Sequence, residues 1–147
     1  MTRAAMTAVV ALTLLSTTGC RKRTMPTTTL TMGDASLLVE IADNGERRAR
    51  GLMYRNSMPA NEGMLFVYPE SKDRSFWMKN VRFPLSIAFA DEAGTIVAIA
   101  DMRPMSKKST LSGAPAMYAI ETNKGWFESH GVEVGDTVQG LPGPAER

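Results

Sequence analysis

Short apolar segments, recurring at near-regular spacing between turn residues, are the feature that most constrains how this chain can fold. They cover residues 36–42, 64–68, 76–80, 85–90, 95–101, 117–121 and 131–138. Runs of about four to eight such residues, bounded by Gly, Pro, Asn and Asp, are typical of small all-β domains. Only residues 46–55 and 123–130 favour short helices, and no repeated strand–helix–strand order indicates a parallel sheet. The sequence therefore predicts a mainly β fold, a small antiparallel β-sandwich or barrel with one or two short helices.

The clearest local prediction is a β-hairpin formed by residues 85–90 and 95–101. The four residues between them, Asp91-Glu92-Ala93-Gly94, have strong turn character. Pro69 is expected to end the strand over 64–68, since proline has no N–H to donate to a neighbouring strand.

The first 19 residues are predicted to be a signal peptide of the lipoprotein type. Arg3 supplies a positive charge, residues 4–15 are almost purely apolar, and small residues lead up to Cys20. The apolar run is shorter than the roughly 20 residues that a spanning helix needs. Cys20 is the only cysteine and directly follows Gly19, which resembles a bacterial lipobox. We therefore expect lipid attachment at Cys20; an ordinary signal peptide with an incidental cysteine is the alternative.

A lipid on Cys20 would make the membrane a partner of the protein. It would place the chain in the cell envelope after secretion through the inner membrane. Resemblance to enteric sorting signals, with Arg21 and not Asp after the cysteine, implies the periplasmic side of the outer membrane. Behind the anchor, composition predicts a tether over 20–34, a single β-rich domain over 35–140 and a tail over 141–147.

Charge and metal-ligand content exclude several classes of function. Residues 35–140 carry 12 Lys/Arg and 13 Asp/Glu, a net charge of −1, and a nucleic-acid binder normally carries a basic surface on its domain. One cysteine excludes an intramolecular disulfide. With His130 as the only histidine, neither a zinc site nor a His-based triad is supported. We expect no nucleic-acid partner, no metal and no cofactor.

The methionine content leaves one metal alternative open. Eleven methionines are present, and thioethers select Cu(I). They are dispersed without a tight cluster, so filling of gaps in the core is the favoured interpretation. Met102 and Met105 are the pair closest to a copper-binding arrangement.

The candidate ligand-binding face is the strand predicted over Phe76–Asn80. Alternation places Phe76, Met78 and Asn80 on one face, and Trp77 and Lys79 on the other. Aromatic rings supply flat apolar contact, and an amide and a cation supply directed hydrogen bonds, a mixture that is common in ligand pockets. The alternative is that the aromatic side chains are core and that Lys79 is a solvated edge cation.

Three further residues complete the candidate ligand-binding set: Arg50, Met53 and Glu121. Arg50 lies beside an apolar patch that includes Met53, and a guanidinium suits bidentate recognition of an anion. The alternative for Arg50 is a surface ion pair with Glu46, four residues earlier. Glu121 lies between apolar residues of a predicted strand, so we expect it to face a partner cation or a cleft.

Six sequence blocks occur in the order seen in a known family. They are Arg50-Gly51-Leu52-Met53-Tyr54-Arg55, Gly63-Met64-Leu65-Phe66-Val67-Tyr68, Phe76-Trp77-Met78-Lys79-Asn80, Pro84-Leu85-Ser86-Ile87-Ala88-Phe89, Tyr118-Ala119-Ile120-Glu121 and Gly135-Asp136-Thr137-Val138. Together they resemble the family called domain of unknown function 192 (DUF192) over about residues 36–139. The resemblance implies a compact β-rich fold of sandwich type and no established activity. Ser86 stands where the family usually has Asp, which weakens a catalytic role for that position.

Two functions from different classes follow. The first is a lipid-anchored envelope protein whose small β-domain binds an envelope ligand or a protein partner. The second is a small envelope hydrolase or transferase that uses Glu121 with Lys79 or Arg50. No catalytic constellation is recognisable, which favours the binding domain over the enzyme, and Cu(I) binding through methionine is a minor alternative.

Overall fold

The structure, a computed structural model, describes residues 25–146. These residues form nine strands and two short helices. The strands are β1 (Thr27–Met32), β2 (Ala35–Ala42), β3 (Glu62–Lys72), β4 (Ser75–Phe76), β5 (Leu85–Ala90), β6 (Ile96–Met102), β7 (Thr110–Leu111), β8 (Ala116–Asn123) and β9 (Val138–Gln139). The helices are α1 (Gly45–Arg50) and α2 (Trp126–Ser129). Seven strands form one curled sheet, a half-barrel, and β4 pairs with β7 beside it. The predicted mainly β fold is confirmed.

The large sheet has the strand order β6-β5-β8-β3-β2-β1-β9. β5 and β6 form the predicted hairpin, with Leu85 opposite Met102. Because β3 and β8 lie in the middle of the sheet, most of their side chains are buried on either face. One face packs a core cluster around Leu65 and Ile120, and the other packs a cluster around Phe66 and Phe89.

One strand pair departs from the predicted antiparallel arrangement. β2 and β3 are parallel, with Val39 opposite Gly63. Residues 43–61 connect them, and parallel neighbours need a crossover of about a dozen residues or more, usually helical. The sequence pattern conceals this crossover because α1 is short: it ends at Arg50, not at residue 55, and Gly51 follows with a left-handed φ of 46°.

The folded domain begins earlier than predicted. β1 lies within residues 20–34, and Thr28 pairs with Val39 of β2. The tether prediction is therefore wrong from Thr27 onward. Leu30 and Met32 are buried while Thr27 and Thr29 are exposed, a pattern that a Thr-rich segment hides.

The two ends of the chain have different outcomes. The predicted tail over 141–147 packs on the domain in its first part, where the Tyr118 hydroxyl donates to the Pro142 carbonyl oxygen at 2.7 Å. The predicted signal peptide and Cys20 lie outside the described residues. Neither of the two described helices is long and apolar enough to cross a membrane.

The predicted strand over Phe76–Asn80 is wrong beyond its first residue. β4 ends at Phe76, and the chain then turns and reaches a φ of 61° at Asn80. The Asn80 carbonyl oxygen accepts a hydrogen bond from the Tyr54 N–H at 2.9 Å, which fixes the turn. Burial still alternates, since Met78 is buried while Trp77 is 49% exposed.

Pro69 does not end β3, contrary to the prediction. The strand runs on to Lys72, and its register against β8 shifts between Val67 and Lys72. A proline fits such an irregularity because the ladder hydrogen bond that it cannot donate is not needed there.

Gly63 allows the two central strands to approach each other. A Cβ atom on Gly63 would lie 2.5 Å from the backbone carbonyl oxygen of Glu121, and the side chains of Leu37 and Val39 close the remaining space. A backbone atom in the middle of a sheet cannot move aside as the end of a flexible side chain can, so this position requires glycine.

We predict that Gly63→Ala lowers the free energy of unfolding by about 2 kcal/mol or more, because the methyl group forces β3 and β8 apart. Chemical denaturation followed by circular dichroism measures the change. Gly45→Ala is the matched control: this residue begins α1 in open space, so the same substitution should be neutral or stabilising by up to about 1 kcal/mol. Equal stability of the two variants would contradict the role of Gly63.

Candidate ligand-binding cleft

A cleft with a volume of about 230 Å³ opens beside the Phe66 side of the sheet, and we call it the Glu121 cleft. Its walls come from α1 and the turn after it, from β3, from β4 with the following loop, and from β8. The lining residues are Arg48, Ala49, Arg50, Gly51, Leu52, Met53, Phe66, Tyr68, Ser75, Phe76, Trp77, Val81 and Glu121.

Strand alternation explains which side chains of β3 and β8 reach the cleft. Side chains two residues apart share a face of a strand, so Met64, Phe66 and Tyr68 share one face of β3. Glu121 of β8 is directly opposite Met64 and therefore projects to the same side. The central strand pair thus places an apolar ring, a phenol and a carboxyl along one wall.

Aromatic rings packed edge to face make the apolar part of the site. The ring centroids of Phe66 and Phe76 are 4.9 Å apart, and those of Phe76 and Phe89 are 5.6 Å apart. Such pairs stabilise by roughly 0.5–1.5 kcal/mol beyond the burial of their area, and Phe89 supports the two lining rings from the core. Trp77, about half exposed, stands at the opening.

Glu121 is the buried ionisable group of the cleft. Its side chain is 4% exposed, and burial raises the pKa of its carboxyl to about 8. Among the described residues, no group donates a hydrogen bond to this carboxyl. Within the same residues, no fully enclosed side-chain oxygen lacks a partner, so the carboxyl oxygens must touch solvent in the cleft. At neutral pH the carboxyl is mostly protonated and offers an O–H donor to whatever occupies the cleft.

Two arginines pack against Tyr68, which lines the cleft. The guanidinium carbon of Arg74 lies 3.7 Å from the centre of the Tyr68 ring, and that of Arg48 lies 5.1 Å from it. Backbone carbonyls hold both cations, since Arg48 donates to Val67 at 2.8 Å and Arg74 to Ala116 at 3.1 Å. Burial raises the pKa of Tyr68, an effect that the two arginines partly offset. Tyr68 therefore remains a neutral phenol at physiological pH.

The structure brings five of the seven predicted ligand-binding residues together. They are Arg50, Met53, Phe76, Trp77 and Glu121, and all five line the Glu121 cleft. Arg50 is exposed, and within the described residues it forms no ion pair with Glu46 or any other carboxylate; the ion pair at this helix joins Asp43 and Arg47. Its guanidinium is therefore available to a ligand.

Lys79 and Asn80 lie outside the cleft lining. The ammonium of Lys79 lies 5.3 Å from the centre of the Trp77 ring. The Asn80 amide donates to the Tyr54 hydroxyl at 3.1 Å, so it fastens two turns together. β4 ends at Phe76, and the turn that follows places both side chains outside the lining.

Sequence reasoning missed eight of the thirteen residues that line the cleft, among them Arg48, Phe66 and Tyr68. Alternation within residues 64–68 was sufficient to put Phe66 and Tyr68 on one face. Nothing in the sequence showed which face of that strand meets an opening, because this depends on where α1 and the β4 loop pack.

Ser86, at the position where the resemblance implies Asp, has a structural role. Its hydroxyl donates to Asp101 of the adjacent strand at 2.6 Å and accepts the Gly125 N–H at 2.9 Å. Asp101 also lies 3.5 Å from the Lys124 ammonium. Ser86 therefore ties the β5–β6 hairpin to the start of α2, and it is not part of the cleft.

Most of the methionines are explained by packing in the core and not by copper binding. Met58, Met64, Met78, Met102 and Met117 are buried in the two core clusters, whereas Met105 is exposed, so gap filling explains most of them. Within residues 25–146, no group of three or more His, Cys, Asp or Glu side chains is placed to hold a metal.

A larger open groove of about 740 Å³ lies between the start of α1 and residues 142–146. Its ionisable side chains include Asp43 and Arg47, which already pair with each other at 2.7 Å. It contains no buried polar group in need of a partner. The smaller Glu121 cleft is therefore the better candidate site.

Comparisons with known proteins agree on the fold. The profile of the DUF192 family, described as an uncharacterized ACR, matches residues 28–140. A protein from Sinorhizobium meliloti 1021, provisionally called a transcription regulator, is 33% identical with a TM-score of 0.76; the match covers 79% of this chain and 95% of that one. A protein of unknown function from Novosphingobium aromaticivorans DSM 12444 is 28% identical with a TM-score of 0.71, covering 77% and 83% respectively. No curated protein matches the chain.

The buried carboxyl predicts a pH-dependent stability. A folded-state pKa of about 8, above the value of 4.5 in the unfolded chain, means that the folded state holds the proton more tightly. Below about pH 4.5 Glu121 is protonated in both states, and its contribution to the free energy of unfolding is complete. As pH rises from there to about 8, the free energy of unfolding falls by at most about 1.4 kcal/mol per pH unit. Glu121→Gln should therefore gain stability relative to the natural protein across this window. Urea unfolding at several pH values measures it, and parallel pH curves would contradict the burial of an ionisable group.

Proposed function

The chain belongs to the DUF192 family, for which no activity is established, and from that premise we propose that this member is a ligand-binding domain of the cell envelope. The ligand is a small amphipathic anion that occupies the Glu121 cleft. The single observation that carries the proposal is the Glu121 carboxyl, which is buried at the bottom of an open cleft and has no hydrogen-bond donor among residues 25–146.

Each part of the ligand has a matching part of the cleft. The protonated Glu121 carboxyl is an O–H donor without a protein partner, so a ligand oxygen that accepts from it gains a hydrogen bond worth about 0.5–1.5 kcal/mol. The apolar body of the ligand fits between Phe76 and Met53. An anionic group at the opening is suited to Arg50, whose guanidinium favours carboxylates, phosphates and sulfonates.

The size of the cleft limits the ligand. Its volume of about 230 Å³ lies below the roughly 300–1,000 Å³ of sites for drug-sized molecules. The ligand is therefore a small molecule, or the end of a longer one that projects past Trp77.

A second candidate is the small envelope enzyme, favoured by one observation. A carboxyl with a pKa near neutrality is poised to act as a general acid or base, and Glu121 shares the cleft with Arg50. Lys79 does not take part, because its side chain lies outside the cleft lining. Turnover of the bound anion would distinguish this candidate from binding alone.

We further propose that a lipid on Cys20 holds the domain at the membrane. Support comes from the signal-peptide pattern and from the position of the only cysteine directly after Gly19. Residues 20–26 then remain as the tether before β1 begins at Thr27. This short connection keeps the domain close to the membrane surface.

Anilinonaphthalene sulfonate (ANS), an aromatic anion that fluoresces in apolar surroundings, is a probe for the cleft. Arg50→Gln should weaken ANS binding about tenfold, since a charge-assisted hydrogen bond contributes roughly 1.5 kcal/mol. Fluorescence titration of folded protein at pH 7 measures the dissociation constant.

Two controls make the ANS result specific. Lys124→Gln removes the same charge at an exposed cation that pairs with Asp101 away from the cleft, and it should leave the affinity unchanged. Affinity of the natural protein should fall as pH rises through about 8, because ionised Glu121 repels the anion, and Glu121→Gln should abolish this dependence. Equal losses in the Arg50 and Lys124 variants, with no effect of Glu121→Gln, would remove the cleft as the binding site.

Metabolic labelling with an alkyne fatty acid tests the anchor. The natural chain, expressed in a bacterium, should incorporate the label and partition with membranes, and Cys20→Ser should lose the label. A label that persists in Cys20→Ser would rule out Cys20 as the attachment site.

A further inference from the structure

The charges of the protein are segregated along the chain. Residues 25–146 carry 12 Lys/Arg and 15 Asp/Glu. Three segments contain ten of those cations and none of the acidic residues. They are residues 47–61 with four cations, 74–90 with three and 102–120 with three. The net charge of −3 over residues 25–146 therefore conceals segments that carry only positive charge.

These three segments meet at one end of the domain, which we call the basic end. The Tyr54 N–H donates to the Asn80 carbonyl oxygen, and the Met105 N–H donates to the Val81 carbonyl oxygen, both at 2.9 Å. β4 pairs with β7 in the same region, which places Leu111 opposite Ser75. The middle segment thus contacts each of the other two, which brings the three cation-bearing segments together.

Many of the cations there have no acidic partner. Within the described residues, Arg55 pairs with Glu40 and Arg47 with Asp43. Six other cations of the basic end are exposed and form no ion pair with a described residue: Arg50, Lys79, Arg82, Arg103, Lys107 and Lys108. Their combined positive potential extends into solvent, where it attracts an anionic surface.

The same end exposes large apolar side chains. Of the six large hydrophobic residues that are exposed in the described part, four lie here: Tyr54, Trp77, Met105 and Leu111, each between 49% and 66% exposed. The others are Leu38 and Val134, on different segments. Apolar side chains gathered on one exposed area indicate an interaction surface.

Backbone strain is concentrated at the basic end as well. Three non-glycine residues of the described part have positive φ, which are Tyr54 at 66°, Asn80 at 61° and Met105 at 58°. A left-handed conformation costs a non-glycine residue of order 1 kcal/mol or more. Tyr54 and Met105 keep this conformation although their side chains gain no burial from it.

We propose that the basic end docks on the surface of an anionic lipid bilayer. Trp77 and Tyr54 enter the headgroup region, where amphipathic rings are favoured, and Met105 and Leu111 enter beside them. Lys107 and Lys108 contact the lipid phosphates, each near-surface cation contributing about 1 kcal/mol.

Both the apolar residues and the cations find a partner in a bilayer. A nucleic-acid backbone would use the cations but leave Met105 and Leu111 exposed to water. The docking does not depend on which ligand fills the Glu121 cleft. The proposed envelope location decides only which membrane the basic end would meet.

Quenching of tryptophan fluorescence tests this docking. The full chain with Cys20→Ser, which removes the proposed lipid site, is mixed with vesicles of brominated phosphatidylcholine, with or without phosphatidylglycerol. Trp126 is buried, so quenching reports Trp77. We expect strong quenching with phosphatidylglycerol, little without it, and loss of quenching at high salt. Trp77→Phe should remove the quenched signal.

A matched pair of double variants supplies the control. Lys107→Gln with Lys108→Gln should raise the lipid concentration at half-maximal quenching about tenfold or more. Lys72→Gln with Lys124→Gln removes the same charge from the two described cations outside the basic segments, and it should change this concentration little. Equal effects of the two pairs, or equal quenching in both vesicle types, would overturn the proposal. Duplex DNA that displaces the protein at lower phosphate concentration than the vesicles would assign the basic end to nucleic acid instead.

Discussion

The pairing of β3 with β8 is the interaction on which the rest of the structure depends. These strands lie in the middle of the large sheet and link its antiparallel β5–β6 side to the parallel β2–β3 side. Their close approach at Gly63 sets the register that places Met64 opposite Glu121. Because side chains alternate along a strand, that register sends Leu65 to one core and Glu121 to the other side. A register shift of one residue would exchange these faces.

Burial of Glu121 is a consequence of this position. A carboxyl in the centre of a sheet loses its water, and its pKa rises until the neutral acid is the main form near pH 7. The fold tolerates the group because the Glu121 cleft lets its oxygens meet solvent. The position that disfavours the charged form of Glu121 is the same position that keeps its carboxyl a hydrogen-bond donor near pH 7.

The two proposed surfaces are adjacent. Arg50 and Trp77 line the Glu121 cleft and also belong to the basic end. A domain that rests on a bilayer through the basic end would hold the opening of its cleft near the lipid headgroups.

The sequence alone was enough for the mainly β fold, the β5–β6 hairpin and five of the thirteen residues that line the cleft. Local rules are sufficient for these, since alternation and turn chemistry depend on neighbours in the chain, and aromatic or charged residues such as Trp77, Arg50 and Glu121 stand out by type. Only the tertiary structure decided the parallel pairing of β2 with β3, the entry of β1 into the sheet and the turn that removes Lys79 and Asn80 from the cleft. Contacts between residues far apart in the chain settle each of these. The Asn80 turn is held by Tyr54, β1 is held by β2, and the charge asymmetry appears only when three separate segments meet.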